Sequence, residues 1–158
     1  MSEVTPDELE HHAETLDLIN TEVAASLARQ FDAGASIDTK AAILVGYAAA
    51  ASSFLATRHA EPVLAALAYV AYGVAAAFGL WAYAVRLYQD VPDPRQLFNR
   101  YLARPKVQVL AAVAATRVQA FENNALKQAR KARRWWASVA SLAIGVVLMI
   151  LAMTSTYW

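Results

Sequence analysis

The chain has 158 residues, of which 58 % are hydrophobic, and its formal net charge is +1. Because three uncharged stretches occupy about half of it, about 80 residues remain for structure outside a bilayer, too few for an enzyme domain with a large core of its own. Cysteine is absent, which excludes disulfides, thiolate catalysis and cysteine-based zinc sites. These limits predict an all-α chain that is not an enzyme and has neither catalytic residues nor cofactors.

Residues 1–36 are predicted to form a cytoplasmic, acidic, amphipathic helix. The segment opens with acidic residues and not with the basic and apolar regions of a secretory signal. The helix is expected to start at residues 5–8, where Thr5 is a capping residue and Pro6 fits the first helical position. One apolar stripe recurs at helical spacing and comprises Leu9, Leu16, Ile19, Val23, Leu27 and Phe31. Gly34 is the expected bend before the membrane.

Three transmembrane helices are predicted over residues 37–57, 62–86 and 135–158. A spanning helix needs about 20 mainly apolar residues, because about 1.5 Å per residue must cover a hydrocarbon core about 30 Å thick. The second and third segments contain uncharged stretches of that length. The first reaches it only with Ile37 and the stem of Lys40, whose ammonium extends to the interface.

Charge is segregated along the chain. Residues 1–40 carry nine acidic side chains, and residues 86–134 carry eleven Lys and Arg against three acidic residues. The tight turn predicted at Glu61, between the first two spans, has few charges. By the positive-inside rule the basic segment is cytoplasmic and the turn lies outside, so the N-terminus is inside and the C-terminus outside. Trp135 and Trp136 then fit the inner headgroup belt.

Residues 90–134 are predicted to form a cytoplasmic basic helical segment. Asp93 is expected to cap a helix within it, and Pro105 to break the chain again. Residues 105–155 can form one helix, although the sequence leaves its continuity across 130–136 open. The natural partner of this segment is the acidic N-terminal helix, because both need to bury an apolar stripe and their charges are opposite.

The first two spans are rich in Gly, Ala and Ser. In lipid, such residues favour helix association because they let backbones approach closely. Packing among the three spans and packing between subunits of a homo-oligomer both fit this pattern. The uncharged stretches hold none of the ionisable groups on which proton relays and coupled transporters depend, so a secondary transporter is disfavoured.

His11 and His12 lie among Glu8, Glu10 and Glu14, a composition that can bind metal. Exposed His residues in an acidic first turn are more often surface residues, so no metal site is predicted. No Ser-His-Asp order, Gly-rich phosphate loop or paired carboxylates stand out either.

Two groups of charged residues flank the spans. Asp38 and Lys40 lie at the mouth of the first, and Lys127, Arg130 and Lys131 precede the third. Capping and snorkelling explain the first group, while a topology signal with anionic-lipid contact explains the second. The alternative is that both groups line a ligand pocket at the membrane surface.

Asn123, Asn124, Lys127 and Lys131 lie one to two turns further into the cytoplasm than the end of the basic run. An amide beside a Lys or Arg can recognise a base edge and a phosphate together. Binding to nucleic acid is nevertheless not predicted, because the acidic helix is expected to cover part of this face.

The layout resembles the transmembrane effectors of bacterial Pycsar antiphage systems, which are similar in style to SLATT-type membrane effectors. The resemblance covers nearly the whole chain. It is carried by an N-terminal helix leading into Asp38-Thr39-Lys40-Ala41-Ala42, by a tight hairpin, and by an Asn-to-Lys pattern before the last span: Asn124, Lys127 and Lys131. Residues 90–105 have no counterpart in the family.

The resemblance implies a multi-pass protein of the bacterial inner membrane that responds to a cyclic pyrimidine mononucleotide. The expected outcome is an impaired membrane, followed by growth arrest or death of the infected cell. The lipid bilayer, the nucleotide and further copies of the chain are the implied partners. The implied ligand-binding residues are Asp38, Lys40, Asn123, Asn124, Lys127, Arg130 and Lys131.

Two other functions fit the same pattern. One is a non-enzymatic membrane subunit or scaffold that binds a protein partner through its cytoplasmic helices. The other is a small homo-oligomeric channel that conducts without any nucleotide. The amphipathic stripes and the small-residue spans are compatible with all three.

Overall fold

The fold is described by a computed structural model in which three long helices account for nearly all of the described residues. Those residues are 13–84, 95, 98, 99, 102 and 104–155. The helices are α1 (Ala13–Ala56), α2 (Pro62–Ala84) and α3 (Lys106–Thr154). Within the described part of the chain there is no β-strand, which agrees with the all-α prediction.

All three helices are long and apolar enough to cross a membrane. This confirms three membrane-capable helices and suggests a multi-pass membrane protein. The orientation, with the N-terminus inside and the C-terminus outside, stays a prediction, as does the bacterial inner membrane.

The first helix is longer than the sequence predicted. It runs without interruption through Gly34, so the predicted acidic helix and the predicted first span belong to one element, and the bend does not break it. One glycine costs a helix interior only about 1 kcal/mol relative to alanine, too little to end a helix that continues well on both sides. The start expected at residues 5–8 lies outside the described residues.

The third helix runs as one element from Lys106 to Thr154, which answers the question of continuity across residues 130–136 that the sequence left open. The backbone N–H groups of Gln108 and Val109 donate to the Pro105 carbonyl at 3.1 and 3.2 Å, which forms the first turn. The cap expected at Asp93 lies outside the described residues.

The chain groups into two compact units. The first comprises Met1–Ala33 and Leu87–Lys127, and the second comprises Gly34–Arg86 and Gln128–Trp158. Helices α1 and α3 contribute a segment to each unit.

In the first unit, α1 and α3 run parallel, because contacts advance along both helices together. The Arg117 guanidinium donates to the backbone carbonyl of Asn20 at 3.2 Å and to its side-chain oxygen. Further along, Gln30 Nε2 donates to the Phe121 carbonyl at 3.2 Å.

In the second unit, small residues allow the helices to approach closely. A Cβ on Gly79 of α2 would lie 2.9 Å from Val45 Cγ2 of α1, and one on Gly145 of α3 would lie 2.6 Å from the ring of Tyr72 in α2. The buried core of this unit is largely alanine: Ala41, Ala48, Ala68, Ala75, Ala82 and Ala152. Packing among the spans is thereby confirmed, and homo-oligomer packing stays a prediction.

The turn between α1 and α2 is fixed by Glu61. Its carboxylate accepts the backbone N–H groups of Val63 at 3.1 Å and Leu64 at 2.7 Å, so it caps α2. Its own N–H donates to the Ala152 carbonyl near the end of α3 at 3.0 Å. The turn predicted at Glu61 is confirmed, and it brings the start of α2 beside the end of α3.

Candidate functional site

Two residues of the predicted ligand site form an ion pair inside the second unit. The ammonium of Lys131 on α3 lies 2.6 Å from Asp38 Oδ1 on α1. It also donates to the Gly34 carbonyl, one helical turn before Asp38, at 3.3 Å. The two helices are therefore joined by a charged contact where each leads into its apolar stretch.

The two partners differ in exposure. The Lys131 side chain is 0 % exposed, whereas that of Asp38 retains 24 % exposure. Burying an ammonium without a compensating charge is costly, and Asp38 and the Gly34 carbonyl offset part of that cost for Lys131. A ligand phosphate can reach this ammonium only if the Lys131–Asp38 contact opens.

A second contact between the same helices lies one turn further along α3. The Lys40 ammonium is 5.9 Å from the centroid of the Trp135 ring, within the range of a cation–π interaction. Lys40 itself is exposed, and Trp135 packs edge-on against Trp136 with ring centroids 4.9 Å apart. The aromatic pair therefore lies close to the buried ion pair.

The indole N–H of Trp135 is buried and has no hydrogen-bond partner among the described residues. The sequence assigned this residue to a headgroup belt and did not predict a binding role for it. Only the packing of α3 against its neighbours reveals that the donor is enclosed without an acceptor, so no sequence pattern could have indicated it.

Another cation lies on an indole on the side of α3 that contacts α2. The Arg134 guanidinium carbon is 4.2 Å from the centroid of the Trp81 ring. Trp81 is 55 % exposed and stacks on Phe78. An exposed indole with a guanidinium on its face is typical of the interface between lipid tails and headgroups.

The other predicted site residues fall in different places. Arg130 is exposed in the second unit, whereas Asn123, Asn124 and Lys127 belong to the first. Of these, Asn124 is almost fully buried at 1 % exposure. Within a single unit, the structure brings together Asp38, Lys40 and Lys131 of the seven predicted residues, and it adds Trp135.

No group of three or more His, Cys, Asp or Glu side chains able to hold a metal ion is found in the described part of the chain. His11 and His12, the residues weighed as metal ligands, lie outside the described residues.

Comparison of the chain with known protein families, curated proteins and solved structures found no match. The functional argument therefore depends on the contacts of the chain itself. These offer cations, an indole donor and a buried ion pair, a set suited to recognising an anion.

Proposed function

We propose that the chain is a membrane effector of an antiphage defence system that binds a cyclic nucleotide and then impairs the inner membrane. The observation that supports this most is the buried Lys131–Asp38 pair, since both residues belong to the site that the family resemblance implies. The pair links α1 to α3 in the unit that contains most of the apolar sequence, so a ligand that changes it changes helix packing directly.

The ion pair can be closed or open, and a ligand can stabilise one of these two states. With the pair closed, α1 and α3 are held together by a charge contact that excludes Lys131 from solvent. A phosphate that binds the exposed cations Lys40 and Arg130 favours an arrangement in which Lys131 turns from Asp38 to the ligand. A ligand shifts such an equilibrium only by its differential affinity for the two states, so the nucleotide must bind the open one more tightly.

The membrane step uses the exposed small residues of the spans. Gly46 on α1 and Gly73 on α2 are both exposed, and nothing lies within 4 Å of a Cβ built on either. These positions leave room for a second copy of the chain to approach closely, as helices in lipid do at glycine. In this proposal, opening of the ion pair favours a homo-oligomer that leaks.

The test is dye release from liposomes that carry the purified full-length protein. Cyclic mononucleotides and dinucleotides are titrated one at a time, each beside its linear form. Release by one cyclic nucleotide, with none from the linear form, is the expected result. No dye release with any nucleotide of the panel, with the protein folded and inserted, would contradict the proposal.

A matched pair of variants tests whether dye release depends on Arg130, a residue of the predicted ligand site. Arg130 and Arg133 are both exposed, but only Arg130 belongs to the predicted site. A hydrogen bond to a charged group contributes about 1.5–3 kcal/mol, and 1.4 kcal/mol is about tenfold in affinity. Arg130→Gln is therefore expected to raise the nucleotide concentration for half-maximal release about tenfold, and Arg133→Gln to leave it unchanged.

A second candidate function is a subunit that binds a protein partner. The first unit exposes large apolar side chains, with Leu18 at 65 %, Leu126 at 62 % and Val118 at 41 % exposure. Such side chains on helices outside the membrane are typical of a protein contact. Liposomes that release no dye with any nucleotide would favour this function, whereas dye release without any ligand would favour a constitutive channel.

A further inference from the structure

The unpartnered indole N–H of Trp135 indicates a missing acceptor. The nitrogen is enclosed, and none of the described residues accepts its hydrogen. An indole can only donate, and leaving a buried donor unsatisfied costs the desolvation of that group. An acceptor oxygen supplied from outside the chain would remove this cost when the Trp135 side chain moves enough to let the oxygen reach the N–H.

The neighbouring charge selects an anionic acceptor. The exposed ammonium of Lys40 lies 5.9 Å from the ring centroid of the same Trp135. Lys131 compensates the nearby carboxylate of Asp38, so that carboxylate does not cancel the charge of Lys40. An indole donor beside an ammonium thus favours an oxygen that carries negative charge.

The position of the site narrows the kind of anion. Arg134, the residue before Trp135, lies on the exposed indole of Trp81, and Trp136 is 63 % exposed. Aromatic rings and cations at the end of apolar helices mark the level of lipid phosphates. A phosphate diester carries one negative charge and offers free oxygens to both an indole N–H and an ammonium.

We propose that Trp135 and Lys40 form a binding site for a monoanionic phosphodiester, with the indole N–H and the ammonium donating to its free oxygens. Two sources share this chemistry. One is the headgroup of an anionic phospholipid such as phosphatidylglycerol, and the other is the ring phosphate of a 3′,5′-cyclic mononucleotide. Binding of the nucleotide rests on the proposed function, whereas binding of the lipid does not.

The experiment measures binding of both sources to the full-length protein in phosphatidylcholine nanodiscs by calorimetry. Short-chain phosphatidylglycerol and cyclic mononucleotides are titrated separately, with short-chain phosphatidylcholine as the neutral lipid control. Trp135→Phe removes the indole N–H and keeps a smaller aromatic ring, and Trp136→Phe, which makes the same change of ring, is its matched control. We expect Trp135→Phe to weaken binding of at least one phosphodiester about tenfold, because a charge-assisted hydrogen bond is lost. Trp136→Phe should bind as the unchanged protein does.

A second pair of variants tests the cation. Lys40→Gln removes the ammonium from Trp135, while Arg58→Gln removes the guanidinium that lies 4.8 Å from the Phe54 ring at the turn between α1 and α2. Both cations are exposed, so neither change is expected to prevent folding. Lys40→Gln should weaken the same phosphodiester that Trp135→Phe weakens, and Arg58→Gln should not.

The outcomes separate the two sources and the two proposals. Weaker phosphatidylglycerol binding alone assigns the site to lipid, and weaker nucleotide binding alone assigns it to the free messenger; both support the site. Unchanged binding of both ligands to Trp135→Phe overturns the site. Weaker phosphodiester binding to Lys40→Gln, with unchanged binding to Trp135→Phe, overturns it as well. A protein that binds phosphatidylglycerol through Trp135 but releases no dye with any nucleotide would keep the site and refute the effector.

Discussion

At the scale of single residues, the Lys131–Asp38 contact predicts an asymmetry between its two partners. Asp38→Asn removes the carboxylate charge that lies 2.6 Å from a fully buried ammonium, whereas Lys131→Met leaves a carboxylate that keeps 24 % exposure and some hydration. Removing one partner of a buried pair costs about 3–5 kcal/mol, so Asp38→Asn should lower the free energy of unfolding by about that much. Lys131→Met should lower it less. Thermal and denaturant unfolding of the protein in detergent micelles measure both.

The control for this prediction is an ion pair on the surface. Arg29 and Glu22 lie 3.9 Å apart with side chains 67 % and 70 % exposed. Exposed pairs contribute about 0–1 kcal/mol, so Arg29→Gln should leave the stability almost unchanged. Equal losses from Asp38→Asn and Arg29→Gln would show that Lys131 is hydrated and that the pair is not buried.

Single residues also show how much of the candidate site could be predicted from the sequence. It grouped Asp38 and Lys131 in one site because both flank predicted spans, and that placement agrees with the structure. It treated both as residues that bind a nucleotide and did not predict their contact with each other, because that contact depends on the offset between α1 and α3 along the chain. That offset is set by packing across a long connection, which no local pattern encodes. The enclosed indole donor of Trp135 could not be predicted from the sequence either, because it too depends on how the helices pack.

At the scale of helices, close packing in the second unit predicts different costs for similar substitutions. A Cβ at Gly145 would lie 2.6 Å from a ring carbon of Tyr72, whose hydroxyl donates to Met149 Sδ at 3.4 Å. Because Tyr72 is 1 % exposed, its ring has little room to move. Overpacking of this kind costs about 1–3 kcal/mol, so Gly145→Ala should reduce stability by that amount in denaturant unfolding.

Gly73→Ala is the matched control for Gly145→Ala. Gly73 lies on the same pair of packed helices but is exposed, and a Cβ there meets nothing within 4 Å. We expect a change within about 0.5 kcal/mol, as for surface substitutions in general. A loss at Gly73 as large as at Gly145 would mean that its open face is covered, as in the proposed homo-oligomer, and the stability should then depend on protein concentration.

The helices themselves were predicted unequally well. The absence of Pro after Pro105 allowed one helix over residues 105–155, but the sequence left its continuity across 130–136 open, and only the structure shows one element from Lys106 to Thr154. The Glu61 turn followed from the Glu61-Pro62 pair between two apolar stretches, whereas the capping of α2 by Glu61 is seen only in the structure. Residues 1–36 and 37–57 were predicted as separate helices, whereas α1 runs through Gly34 without interruption. Gly34 is buried, and its carbonyl accepts a hydrogen bond from Lys131.

At the scale of the whole molecule, the prediction that remains is the orientation in the membrane. The absence of cysteine makes the chain a clean background for single-cysteine labelling. His59 lies in the turn between α1 and α2, and Leu102 is 73 % exposed in the basic segment before α3. A membrane-impermeant maleimide should label His59→Cys in intact bacterial cells and should label Leu102→Cys only after the cells are permeabilised.

The orientation decides which source of phosphate can reach Trp135 and Lys40. Contacts at the two ends of the second unit show α2 running antiparallel to α3: Arg134 meets Trp81 at one end, and Glu61 meets Ala152 at the other. The Lys40 end of the spans therefore lies opposite the His59 turn. If His59→Cys is labelled from outside, this end faces the cytoplasm, where the cyclic nucleotide of the proposed function would be made. If Leu102→Cys is labelled instead, an intracellular messenger cannot reach the site, and only the lipid remains as its ligand.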